Sequence, residues 1–140
     1  MYLTATRYLW TSEGDLSEQI AALFPEVGNL RVKEVAIEAG YWRKANAIHA
    51  WFVKNIQAGV DECDKYDIHR GALASLSDLC REVLTDRSKA KELLPTALGF
   101  FFGDYDYDDW YFEKLESTVK IIEAALALPE DWDFTYHSSW

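Results

Sequence analysis

Apolar and polar positions alternate at the two ends of the chain and step by three or four through its middle. In residues 2–10, Tyr2, Thr4, Thr6, Tyr8 and Trp10 alternate with Leu3 and Leu9, which predicts a strand. The segment SEGD turns the chain, and LSEQIAALF predicts a short helix with Leu16, Ile20 and Leu23 on one face, stopped by Pro25 and Gly28. Leu30, Val32 and the run Val35-Ala36-Ile37 predict a strand over 30–37 with a break at Gly40; a helix over 31–39 is the competing reading.

From residue 42 the step is helical: Trp42, Ala45, Ile48, Phe52 and Ile56 form a stripe, widened by His49 and Val53, with Gly59 placed to end the helix. After the loop VDECDKYD, a second helix over 69–85 buries Leu73, Leu76, Cys80, Val83 and Leu84, with Asp67 or His69 as its cap. SKAKELLP adds a turn before Pro95. A third long helix spans 108–128, with Tyr111, Leu115, Val119, Ile122 and Leu126 on one face. Asp108 and Asp109 suit its positive N-terminal end, and Pro129 stops it. In WDFTYHSSW, Phe134 and Tyr136 alternate with Thr135, which predicts a closing strand. Strands at the ends and helices between them predict an α+β fold: three main helices packed on a small antiparallel sheet that pairs the N- and C-terminal strands. No repeat or linker interrupts the chain, so residues 1–140 read as a single globular domain.

Composition agrees with a packed core: 49% of the 140 residues are hydrophobic and 15% aromatic. The net charge of −10 disfavours direct contact with nucleic acid or an anionic membrane and suits a basic protein partner, including one that itself binds nucleic acid. No apolar run reaches the length of a membrane span, and MYLTATRYLW lacks the pattern of a signal peptide, so the expected location is the cytoplasm.

Metal and cofactor chemistry find little footing. Cys63 and Cys80 form no C-x-x-C pair, and His49, His69 and His137 are dispersed. DYDYDD, residues 104–109, echoes the start of a calcium loop. However, its sixth position is Asp109 where glycine is needed, and its twelfth is Leu115 where glutamate is needed. Neither a phosphate-binding loop nor a G-x-S-x-G turn is present. The expectation is therefore no metal and no cofactor.

The densest stretch is YWRKANAIHAWFVKN, residues 41–55. Arg43, Asn46 and His49 climb one side of its helix. Arg43 and Lys44 near the N-terminus suit an anion, Trp42 or Trp51 offers a stacking ring, and His49 an acid or base. The plainer reading makes His49 a hydrogen-bonded core residue beside the apolar stripe. The loops DECDKYD, DYDYDDW and PEDWD mix carboxylates with aromatics, a combination that favours protein recognition if they share one face.

The blocks YWRKANAIHAWFVKNIQAGVDEC, LSDLCREVL and LLPTALGFFFGDYDYDDWYFEKLESTVKII, within residues 41–123, resemble a family of small uncharacterised proteins of bacteriophages and prophages. The resemblance implies a phage accessory protein made in a bacterial host cell, acting against host defences in the manner of an anti-CRISPR inhibitor. It transfers no catalytic residue. The leading expectation is a non-enzymatic protein that binds a host protein through Asp61, Glu62, Asp64, Asp104, Tyr105, Asp106 and Asp108. The alternatives are a nucleotide- or phosphate-binding site or enzyme built on Trp42, Arg43, Lys44, Asn46 and His49, and a virion assembly component.

Overall fold

The computed structural model describes residues 1–10, 14–28, 30–97 and 106–139. The fold is α+β. Four strands, β1 (Tyr2–Tyr8), β2 (Glu34–Tyr41), β3 (Tyr66–Ile68) and β4 (Asp133–His137), form one antiparallel sheet in the order β2-β1-β4-β3. The helices are α1 (Gly14–Ala21), α2 (Asn46–Asn55), α3 (Arg70–Thr85), the single turn α4 (Ala90–Leu93) and α5 (Asp109–Leu126). The N- and C-terminal strands pair at the centre, with Leu3 opposite Tyr136 and Ala5 opposite Phe134.

Alternation along each strand divides the sheet into two faces. Leu3, Ala5, Phe134 and Tyr136 on the inner face are buried and join one core with Ile48 and Phe52 of α2, Leu73, Leu76 and Cys80 of α3, and Leu115 and Ile122 of α5. Burial among these apolar neighbours pushes the Cys80 thiol up to about 12, so it packs as a small apolar group.

Two predicted boundaries are corrected. The second strand begins at Glu34, after Leu30 and Val32, and runs through Gly40 to Tyr41. Gly40 does not break the strand. It faces Leu3 beside a bulge, where Thr4 pairs with Glu38, and a side chain there would collide with Ile121 Cγ2 of α5. The helix predicted from residue 42 begins at Asn46, because Arg43 and Lys44 form a turn in which Lys44 has a φ of 54°. Strand β3 lies where a loop is predicted.

The helix ends follow their sequence signals. The His69 side chain accepts from Ala72 N–H at 3.1 Å, and Asp108 Oδ1 accepts from Tyr111 N–H at 2.9 Å. Gly59, with a φ of 84°, closes α2 by donating its N–H to Val53 O at 2.8 Å. At the far end of α5, Arg70 donates to Leu126 O at 3.1 Å, to Leu128 O at 2.8 Å and to Pro129 O, with its guanidinium 5.2 Å from the Phe134 ring centroid. One side chain thus joins the start of α3, the negative end of α5 and β4.

Two outcomes follow, both read by denaturant unfolding. Arg70→Met lowers stability by about 1.5–3 kcal/mol, since several carbonyls lose a charged donor. Gly40→Ala lowers it by roughly 1–3 kcal/mol through overpacking, and combining it with Ile121→Ala costs less than the sum of the two single changes.

Candidate functional site

The stretch 41–55 divides between core and cleft. Trp42 is only 3% exposed. Its indole N–H donates to Thr118 Oγ1 at 3.0 Å, and its ring lies 5.6 Å from Phe52. It serves the core and offers no face for a stacked base. Arg43 and Lys44 are exposed in the turn before α2. The remaining members, Asn46 and His49, are buried at 5% and 4% exposure.

His49 is held on both ring nitrogens. Nδ1 lies 2.8 Å from Tyr136 Oη, and Nε2 lies 3.1 Å from Asp61 Oδ1. A carboxylate only accepts, so Nε2 carries the proton and Nδ1 accepts from the tyrosine hydroxyl. The chain of bonds runs from Tyr136 O–H to His49 and from His49 N–H to Asp61. Tyr136 is fully buried, with its ring stacked 4.0 Å from Phe52 at an interplanar angle of 14°. Burial raises the pKa of its hydroxyl, which remains a donor. Burial also lowers the His49 pKa, outweighing the opposing pull of the Asp61 hydrogen bond and charge. His49 is therefore a neutral spacer with a fixed tautomer between a buried phenol and a carboxylate at the surface.

The order resembles a hydroxyl–histidine–carboxylate catalytic triad, but the hydroxyl is walled into the core and cannot attack a substrate. Here the direction of use is reversed. Tyr136 anchors His49, His49 holds Asp61, and the Asp61 side chain, 44% exposed, is the group that meets solvent. It stands on the rim of a cleft of about 300 Å³ between α2 and the following loop, floored by Ala50, Val53 and Ala97 and bounded by Asn46, Lys54 and Gly59. The lining thus combines a carboxylate, a lysine and apolar side chains.

The other predicted partner-binding residues are placed as follows. Glu62 is half-buried. Its carbonyl accepts from Gln57 at 2.9 Å and from Ser138 at 3.2 Å, and its carboxylate accepts from Tyr66 Oη. Asp64 and Asp106 are exposed, and Asp108 caps α5. Asp106 and Asp108 line a small recess with Lys44 and Asn46, separate from the cleft that Asp61 lines. Asp104 and Tyr105 lie outside the described residues. The predicted sets therefore mix: Asp61 of the acidic set joins Asn46 and His49 of the ligand set, while Arg43 does not line the cleft. Tyr136 and Lys54 were missing from both. An inward tyrosine in a predicted strand and a histidine on an apolar stripe each signalled an unmet hydrogen bond, and they satisfy each other.

Among the described residues no group of three or more His, Cys, Asp or Glu side chains is placed to hold a metal ion, and no described helix is long and apolar enough to cross a membrane. Comparison of the chain with protein-family models, curated proteins and solved structures finds no match.

The sign of the His49 shift gives a pH test. A histidine whose pKa is lowered on folding makes the unfolded chain bind more protons, so stability is full above pH 6.5 and falls as pH drops from there toward the folded-state value. In His49→Gln that part of the slope between pH 7 and 5 disappears in denaturant titrations. The part due to His137 remains, because its pKa is lowered by burial and by nearby Lys65.

Proposed function

We propose that the protein binds a small polar ligand in the cleft between α2 and the 57–61 loop, with Asp61 as the principal acceptor and Lys54 as the countercharge. The observation that carries this reading is the Tyr136–His49–Asp61 chain, which spends two buried polar side chains on fixing one surface carboxylate. A carboxylate needed only for solubility gains nothing from such support.

The cleft's size and lining define the ligand class. A volume of about 300 Å³ is at the lower end for small-molecule sites and suits a molecule of amino-acid size. A lining that holds a carboxylate, a lysine and three small apolar side chains fits a zwitterion: an amino group on Asp61, a carboxylate on Lys54 and a short side chain over Ala50, Val53 and Ala97. A free phosphate fits poorly, because Asp61 repels it and Arg43 does not line the cleft. The described lining holds no hydroxyl or thiol nucleophile, so the reading is a binding protein. Recognition of a host protein by the acidic loops has less support, since Glu62 and Asp108 are engaged in internal hydrogen bonds.

The test is an amide NMR titration with free amino acids, inorganic phosphate and adenosine as probes at millimolar concentration. At least one amino acid should shift the resonances of Asn46, Val53, Gly59 and Ala97 together, and phosphate alone should not. Asp61→Asn keeps an acceptor for His49 but removes the charge, and it should weaken that binding about tenfold or more. Equal affinity in Asp61→Asn, or no probe that moves these resonances, overturns the reading.

A further inference from the structure

The outer face of the sheet carries a second, separate surface. The side chains that alternate with the buried Leu3, Ala5, Phe134 and Tyr136 all leave on this side. Three rings stand side by side across it: Tyr41, Tyr2 and His137, on β2, β1 and β4. The Tyr2 ring lies 5.1 Å from Tyr41 and 4.9 Å from His137, the latter stacked at 17°. The next rows pair Thr4 with Glu38 and Thr135, Thr135 with Asp67, and Thr6 with Asp133; beyond them Tyr8 pairs with Glu34.

α2, α3 and α5 pack against the opposite face, through Phe52 on Tyr136, Arg70 on Phe134 and Thr118 on Trp42. Tyr8 and Tyr41 accordingly remain 51% and 47% exposed, and Glu34, Glu38, Asp67 and Asp133 are exposed as well. Glu38 and Asp67 thus stand in the row next to the rings, with Asp133 and Glu34 in the rows beyond, while the cations near the ring row are Lys65 and the N-terminal ammonium.

We propose that this outer face is the docking surface for an arginine-bearing segment of a protein partner. A guanidinium is flat, stacks on tyrosine and histidine rings, and forks onto carboxylates, so both features of the face are used by one side chain. Lysine uses the charge but not the plane. Single-stranded nucleic acid would use the rings, but the flanking carboxylates repel its phosphates. A second copy of the chain would bring the same acidic face and be repelled.

The experiment is fluorescence anisotropy with labelled nona-arginine, nona-lysine and a twelve-nucleotide oligothymidine on the intact chain. Nona-arginine should bind more tightly than nona-lysine by about 3-fold or more, and both more tightly than the oligonucleotide. The triple variant Glu38→Lys, Asp67→Lys, Asp133→Lys should weaken nona-arginine binding at least about 10-fold. A control with the same net charge, Glu26→Lys, Glu113→Lys, Glu116→Lys, should weaken it less than about 3-fold. Tyr41→Ala, at an exposed edge position, should remove most of the preference for arginine over lysine. Equal losses in the two triple variants, an unchanged preference in Tyr41→Ala, or tighter binding of the oligonucleotide each overturn the proposal. Circular dichroism of every variant separates these results from unfolding.

Discussion

The contact on which the rest depends is the seat of Tyr136 between the sheet and α2. A tyrosine with no exposed surface has two requirements: apolar contact for its ring and a partner for its hydroxyl. Phe52 meets the first by stacking at 4.0 Å, and His49 meets the second at 2.8 Å. The two lie three positions apart on α2 and so share a face of the helix. One side chain from β4 thereby fixes both the rotation of α2 and its height above the sheet. The other nitrogen of His49 then has one direction left to point, toward the loop that brings Asp61. The geometry of the cleft is thus set from inside the core, and the loop is drawn to it.

A second constraint fixes the opposite end of the helical layer. The C-terminal carbonyls of α5 turn toward the start of α3, where an unsatisfied helix end would be costly. Arg70 meets the carbonyl of Leu126, the last residue of α5, and those of Leu128 and Pro129 just beyond it, while its guanidinium lies over Phe134. Phe134 and Tyr136 are two residues apart on one face of β4, so this short strand receives α2 at one position and the α3–α5 junction at the other. That arrangement explains why β4 is central in the sheet although it comes last in the described chain.

Most of this architecture was legible because the periods are strong. α3 and α5 differ from their predicted spans by no more than two residues at either end, and Asp108 and His69 cap them as their chemistry implies. Strand β3 was hidden because only three residues pair, and Asp67 among them looks like loop composition. Gly40 misled because its lack of a side chain serves close packing against Ile121, a requirement set by α5, far off in the sequence. The cleft was half legible. His49 and Asn46 stood out by type and Asp61 by charge, but they appeared to belong to different sites. Nothing local to residue 49 or 61 shows that Tyr136, 87 positions from His49, joins them.

Consecutive residues of β4 point to opposite faces, so Tyr136 reaches the cleft side while His137 stacks on Tyr2 on the outer side. This one peptide unit lies beneath both surfaces. The two nevertheless have different chemistry. The cleft pairs a single supported carboxylate with a lysine over a small apolar floor, which suits a compact ligand with both charges. The outer face carries four carboxylates in successive rows beside a row of rings, which suits an extended cationic segment. Charge changes at Glu38 or Asp67 stand across the sheet from Asp61, where inter-strand backbone and screening by solvent dampen their influence. Substitutions on either surface therefore serve as controls for the other. A change at Tyr136 cannot serve in that way, because it removes the support of His49 and shifts the strand that carries His137.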